Sequence, residues 1–345
     1  MNLIEIGQAN RRVIMTKKNT KYSSFRLTLL SLLVAIFNVC LIETAVPQIL
    51  APLAKDSDEV EILSVQGSIY MIGTAGSNIA LMVGESGLIV VDSGNIEASE
   101  NVINAIRELT SEPARFIINT AALPEHMGGN LAVADIGETF DLNPAVIDTR
   151  EGFSIPIIGH GNGLLLLGTE FEDLVPYEAW PNDTFFSERK TISLNGEAIE
   201  ILHQPNAITQ SDVFVHFRQS DVLVTGDIFD TTSYPKFKPE YGGSLQGVID
   251  ALNHVIDTAV PIINQQGGTL IIPGHGRQAN ESDVVEYRDM LTIIRDRVQL
   301  AIDEDMSFEE VIAGNLTLEY DGLYGHDSGD WTTRMFLEAV YDELR

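Results

Sequence analysis

Asn119-Thr120-Ala121-Ala122-Leu123-Pro124-Glu125-His126-Met127-Gly128-Gly129-Asn130 directly follows Arg115-Phe116-Ile117-Ile118, an apolar run that predicts a buried strand. Strand and loop together place an imidazole, His126, and a carboxylate, Glu125, close to the end of a sheet. Gly128 and Gly129 suit a backbone that approaches a pocket closely or adopts positive φ, as only glycine does readily. Ala121 and Leu123, in the same loop, carry no side-chain donor atom.

Working outward, four more segments of this kind follow in order. The β-rich runs Ser68–Ile72 and Ser77–Val83 lead into Gly87-Leu88-Ile89-Val90-Val91-Asp92-Ser93-Gly94. Beyond the loop come His203-Gln204-Pro205-Asn206-Ala207-Ile208-Thr209-Gln210-Ser211-Asp212, then Val222-Leu223-Val224-Thr225-Gly226-Asp227, then Ile271-Ile272-Pro273-Gly274-His275-Gly276. The series resembles the metallo-β-lactamase superfamily: its Asp-x-Gly turn, its Thr-His-x-His-x-Asp-His loop with Gly-Gly-Asn after it, its Ala-His-Thr-x-x-Asp segment, its bridging Asp and its final Gly-His. The similarity covers roughly residues 60 to 280. It implies an α/β fold, an αββα sandwich of two mixed β-sheets flanked by helices.

In that superfamily two metal ions usually share the site. The paired histidines and the Ala-His-Thr histidine hold the first, the Asp-His pair and the final Gly-His hold the second, and the later Asp bridges both. Carried over, the first-site positions are Ala121, Leu123 and Ile208, all apolar. The second-site positions are Glu125, in place of Asp, with His126, Asp227 and His275. Two imidazoles and two carboxylates suit zinc, iron or manganese. The resemblance thus implies one divalent ion, zinc first among the candidates, or a polar cluster that holds none.

Glutamate adds a methylene, and a displacement of about 1 Å in a reacting group can lower a rate roughly a hundredfold. Glu125 is therefore expected either as a ligand or as the base for attacking water, and Asp227 as a ligand at the reacting centre. The implied reaction is metal-assisted hydrolysis of an amide, lactone or ester in a small, not strongly anionic molecule. The competing reading is a non-catalytic protein that binds a ligand or partner in the same cleft. Tyr234, near the pocket rim by resemblance, is expected to contact substrate; Asn130 is expected first as a loop hydrogen-bonder and second as a substrate contact. His160, in Gly159-His160-Gly161-Asn162-Gly163, is expected either to lean over the pocket or to be a solvated loop histidine. Asp92 and Gly94 are expected to tie a loop, and His203, His216, His254 and His326 are not expected as ligands.

The N-terminus differs in kind. Lys17, Lys18, Lys21 and Arg26 precede the apolar run Leu27 to Ile42, which reads as a secretory leader over residues 1–45, followed by a linker over 46–59. The implied location is periplasmic or extracellular, with an uncleaved N-terminal anchor as the alternative and no stable membrane insertion once the leader is removed. Met15 offers a second start. Cys40 is the single cysteine and falls within the leader, so a chain from which the leader is removed is expected to have neither disulfide nor thiolate ligand. The whole sequence carries 21 basic and 50 acidic residues, a charge of −29; loss of residues 1–45 leaves 15 against 48, or −33. That field repels nucleic acid and anionic membranes, which points to a small-molecule partner.

β-rich runs at 61–73, 77–83, 87–92, 115–119, 190–203, 212–217, 221–225 and 269–272 predict the strands, and helical spacing over Val102–Leu109, Val248–Ile256 and Val284–Ile302 predicts helices. The proline-containing excursion 141–189 predicts a long loop region covering the pocket as an apolar lid. Residues 281–345 predict C-terminal helices packed on a 60–280 domain, with Trp331, Met335, Phe336 and Val340 as the buried stripe of the last.

Overall fold

The structure is a computed structural model and describes residues 60–139, 155–261, 263–264 and 267–345. The expected leader, linker and Cys40 lie outside the described residues. No described helix is long and apolar enough to cross a membrane.

The first sheet takes β1 (Glu61–Gln66), β2 (Ile69–Gly73), β3 (Asn78–Met82), β4 (Leu88–Val91), β5 (Ala114–Ile118), β6 (Ile157–His160) and β7 (Asp183–Phe185), in that order. Pairing is antiparallel from β1 to β4 and parallel from β4 to β7. The second sheet takes β8 (Arg189–Leu194), β9 (Glu197–His203), β10 (Val213–Phe217), β11 (Val222–Asp230), β12 (Leu270–His275) and β13 (Ala279–Asn280). Only β11 and β12 run parallel there. Both sheets are mixed. The helices are α1 (Ser99–Leu109), α2 (Pro124–Met127), α3 (Asn130–Asp135), α4 (Gly163–Thr169), α5 (Leu245–Thr258), α6 (Glu281–Asp303), α7 (Phe308–Ala313), α8 (Leu318–Tyr324) and α9 (Thr333–Leu344).

Side-chain alternation builds the layers, because successive residues of a strand face opposite sides. Met71, Ala80, Met82, Ile89 and Val91 share a buried cluster with Ile199, Ile201, Val213, Val215 and Val224, which is the space between the sheets. Their neighbours Ile72, Ile79, Leu81, Leu88 and Val90 pack with Val102, Ala105 and Ile106 of α1. Phe214, Leu223 and Ile271 face Val248 and Leu252 of α5, Leu291 and Ile294 of α6 and Phe336 of α9. The expected αββα sandwich follows, with β3 and β4 buried along their whole length as strands covered on both faces must be.

Two expectations need correction. The described part of the excursion, from residue 155, is no loop lid: Ile157 and Ile158 pair with β5 in β6, and β7 extends the same sheet. Pro and Gly obscured strands of four and three residues whose pairing depends on distant partners. In α9 the buried stripe is Phe336, Leu337, Val340 and Tyr341, and Met335 is exposed.

Candidate active site

β4 delivers Asp92 to the floor of the site. Its backbone sits in the left-handed region (φ 60°), and its buried carboxylate accepts from the Thr120 amide at 2.7 Å and the Thr120 hydroxyl at 2.6 Å. The second carboxylate oxygen also meets His126 Nδ1 at 2.9 Å. α2 carries His126, and its carbonyl is held by the Ser93 amide at 2.9 Å and by Asn119 Nδ2 at 3.2 Å. His126 is fully buried, ring and backbone both fixed.

Across the site, β11 and β12 slip register between Val224 and Asp230, and Gly226 takes φ +52° in the irregular stretch. The slip turns Asp227 toward His126: Oδ1 lies 3.1 Å from His126 Nε2 and 3.1 Å from His275 Nε2. Gly274 leaves room for that oxygen, since a Cβ there would come within 2.5 Å of it. Asp92, His126, Asp227 and His275 thus form an alternating chain of carboxylates and imidazoles. It runs from the buried floor to His275, whose side chain reaches an open cleft of about 480 Å³.

Burial would push the His126 imidazole down, but the carboxylates of Asp227 and Asp92 outweigh it and hold the ring well above its ordinary value. His275 is likewise raised by Asp227 against its burial. Burial pushes the Asp227 carboxyl up, and the two imidazoles overcome this and hold it well below the usual carboxylate range. The cluster is neutralised from within.

Whether these residues fit a metal turns on two observations. His126 Nε2 and Asp227 Oδ1 are buried, 3.1 Å apart, and yet neither has a hydrogen-bond partner of acceptable alignment. Adjacent ligands of a tetrahedral zinc with bonds of about 2.0–2.1 Å stand roughly 3.3 Å apart, so the spacing suits one ion. Against this, no group of three or more His, Cys, Asp and Glu among the described residues is arranged to hold an ion. Side-chain rotation can open a coordination point between donors already at this spacing, but no rotation supplies a donor at Ala121, Leu123 or Ile208. The spacing of His126, Asp227 and His275 is that of adjacent ligands without being a formed coordination group, and the first-site positions offer no donor.

No family model and no curated protein matches the chain. Solved structures do. The stereoselective inverting sec-alkylsulfatase Pisa1 from Pseudomonas sp. superposes with a TM-score of 0.61 at 15% identity, covering 82% of this chain and 50% of that one. A metallo-β-lactamase from Pontibacter korlensis gives a TM-score of 0.51 at 16% identity, covering 68% of this chain and 99% of that one. The chain has the metallo-β-lactamase fold. It spans about half the length of the alkylsulfatase chain it matches.

Within the metallo-β-lactamase fold, three of the four expected ligands come together. Glu125 lines the same cleft as Asp227 and His275 but stands outside their ion pairs among the described residues. The positions that the resemblance matches to the first site are core: Ala121, Leu123 and Ile208 are 3%, 6% and 2% exposed, in one cluster with Leu166, Leu167 and Phe171.

The expected substrate contacts are corrected. Tyr234 is buried, stacked on Phe336 with ring centroids 4.5 Å apart, and its hydroxyl donates to Asp321 at 2.9 Å, so it anchors the C-terminal helices. Asn130 is fully buried; its amide donates to Asn119 Oδ1 and the Ala179 carbonyl, and its oxygen accepts from Ser93. His160 ends β6, stacked on His203 at 3.5 Å. Burial, with His203 beside it, lowers its pKa to about 4. It lines a separate small cavity with Ser211 and Gly163. Sequence reasoning missed Asp92 as the support of His126, although Asp before Ser-Gly at a strand end is a signal for it. It also missed the cleft wall of Lys236, His326, Asp330 and Trp331, the last three from the C-terminal segment.

Proposed function

We propose that this chain is an exported hydrolase of metallo-β-lactamase fold with a reduced site, in which His126, Asp227 and His275 hold a single divalent ion, zinc in the first instance. The substrate is a small molecule with an amide, lactone or ester bond. The observation that carries the reading is the partition of the site: the positions without a donor fall in a half filled with hydrocarbon, while in the other half Asp227 Oδ1 stands 3.1 Å from both the His126 and the His275 imidazole, with Asp227 and His275 at an open cleft. The basic-then-apolar N-terminal sequence supports export. The fold of hydrolase structures supports the reaction class.

A divalent ion bound there supplies positive charge that polarises a carbonyl and makes water a stronger acid. Asp92 holds His126 so that Nε2 faces the centre, leaving Nδ1 engaged with the carboxylate. Asp227 stays ionised, as an anionic donor must. Glu125 lines the cleft wall, and in this reading it either accepts a proton from attacking water or completes the donor set.

Elemental analysis of purified protein tests this. At most one transition metal per chain is expected, lost in His126→Ala and in His275→Ala and retained in His160→Ala. Two tightly bound ions would refute the reading. A second reading, a binding protein that uses the cleft without catalysis, is favoured by one observation: the donors are closed on one another. Folded protein that stays metal-free with zinc, iron and manganese, and silent on a panel of lactams, lactones and esters, would decide for it.

A further inference from the structure

We infer that Trp331 sets substrate preference in the cleft, by receiving an uncharged apolar group of about phenyl size beside the scissile bond. The bond itself is the amide, lactone or ester of the hydrolase reading above, on which this substrate class rests. Among the described residues, the cleft of about 480 Å³ that holds Asp227 and His275 is lined by side chains that are charged, polar or no larger than proline, with one exception. Trp331 is its only large apolar side chain. The indole is half-buried, and its Nε1 is shut away from solvent without an acceptor, so the part of the ring that the cleft reaches is carbon. Carbon surface left open in a polar cleft is favourably covered by an apolar group of a ligand.

The ring is also held in place. The chain that carries it, between α8 and α9, is pinched at its base: the Thr333 amide donates to the His326 carbonyl at 3.0 Å, and the His326 amide donates to the Thr333 hydroxyl at 3.1 Å. Thr332, the next residue, caps α9 by accepting from the Met335 amide at 3.2 Å. α9 in turn carries Phe336, stacked on Tyr234 of the segment that follows β11. Trp331 and Asp227 therefore stand on elements packed against one another, as a contact that selects substrates requires. The charges in the cleft choose the kind of group. A carboxylate meets like charge at Glu125 and Asp330, and an ammonium meets it at Lys236, whereas an uncharged apolar group meets neither penalty. One face of a phenyl ring covered by indole gains about half of a full burial, on the order of tenfold in affinity.

The test compares 4-phenylbutanamide with butanamide, two uncharged amides that differ by the phenyl ring. The chain has two tryptophans, so Trp180→Phe leaves Trp331 as its only indole. Titrated into the full Trp180→Phe chain with and without zinc, the phenyl amide should shift Trp331 emission saturably, and butanamide should bind about tenfold more weakly. Calorimetry on the chain with Trp180 in place should show that preference lost in Trp331→Ala and largely kept in Trp331→Phe. Circular dichroism establishes that each variant is folded, and the emission measurement needs no change at 331. Emission that ignores the phenyl amide, equal affinity for the two amides, or a preference undiminished in folded Trp331→Ala would overturn the assignment. The expected preference in a chain that stays metal-free and without turnover would sink the hydrolase reading and leave the apolar subsite standing. Metal-dependent turnover without a preference set by Trp331 would do the reverse.

Discussion

A carboxylate on each side of the His126 ring fixes which nitrogen faces Asp227, and that makes Asp92 a positioning residue. Partners of this kind behind a metal-binding imidazole are typically worth about 10–100-fold in metal affinity. Asp92→Asn should therefore weaken zinc binding by that order in a chelator competition, with no change in the donors themselves. Glu125→Gln separates two roles: turnover lost with metal retained marks a proton acceptor, whereas joint loss marks a ligand. Tyr234→Phe removes a hydroxyl that donates to Asp321, and should lower unfolding free energy by about 1–2 kcal/mol while leaving any substrate's KM unmoved. His126, Asp227 and His275 were legible because each ends a motif whose spacing survives. Tyr234 was misread because distance along the chain from Asp227 does not say which way a side chain turns after Pro235 and its neighbours bend.

At the scale of elements, the apolar plug between the 119–130 loop and α4 decides which side chains the site can accept. Ala121, Leu123 and Ile208 touch the same buried cluster as Leu166 and Phe171, and a Cβ at Gly163 would stand 2.5 Å from Ala122. Three imidazoles at 121, 123 and 208 would enter space shaped for hydrocarbon, through overpacking and unpaired polar groups. The combined substitution Ala121→His, Leu123→His and Ile208→His should lower stability by about 3 kcal/mol or more in urea unfolding; unchanged stability with two bound ions would show a preformed pocket instead. The strands of both sheets were legible wherever burial on one or two faces imposed a period. β6 and β7 were not, because each is too short to show a period and is defined by a neighbour far along the chain.

For the whole molecule, one buried carboxyl makes stability depend on pH. Burial pushes Asp212 up to about 7 from 3.8, against its hydrogen bonds with Thr209. Between those values the folded chain binds a proton at Asp212 that the unfolded chain has released, so this group's contribution to stability falls as pH rises through the window and levels off above 7. This contribution, on the order of 2–4 kcal/mol between pH 4 and 7, should appear as the difference between the pH profiles of the wild type and of Asp212→Asn, whose amide can still accept from Thr209 and which leaves the slopes from Asp227, His126 and His275 in place. Denaturant midpoints across that range check it. The sandwich itself was readable from the order of its motifs, whereas the contribution of the C-terminal segment to the cleft wall was not, because that segment lies outside the motif frame. The plug also closes a road. A path of single mutations from the present loop to a three-imidazole site passes through chains with one or two added histidines. Each intermediate carries the damage of a buried polar ring and lacks the full ligand set that would compensate it. Selection acting one step at a time would meet a valley there, so the shorter route to new chemistry on this chain starts from His126, Asp227 and His275 or from the cleft wall beside them.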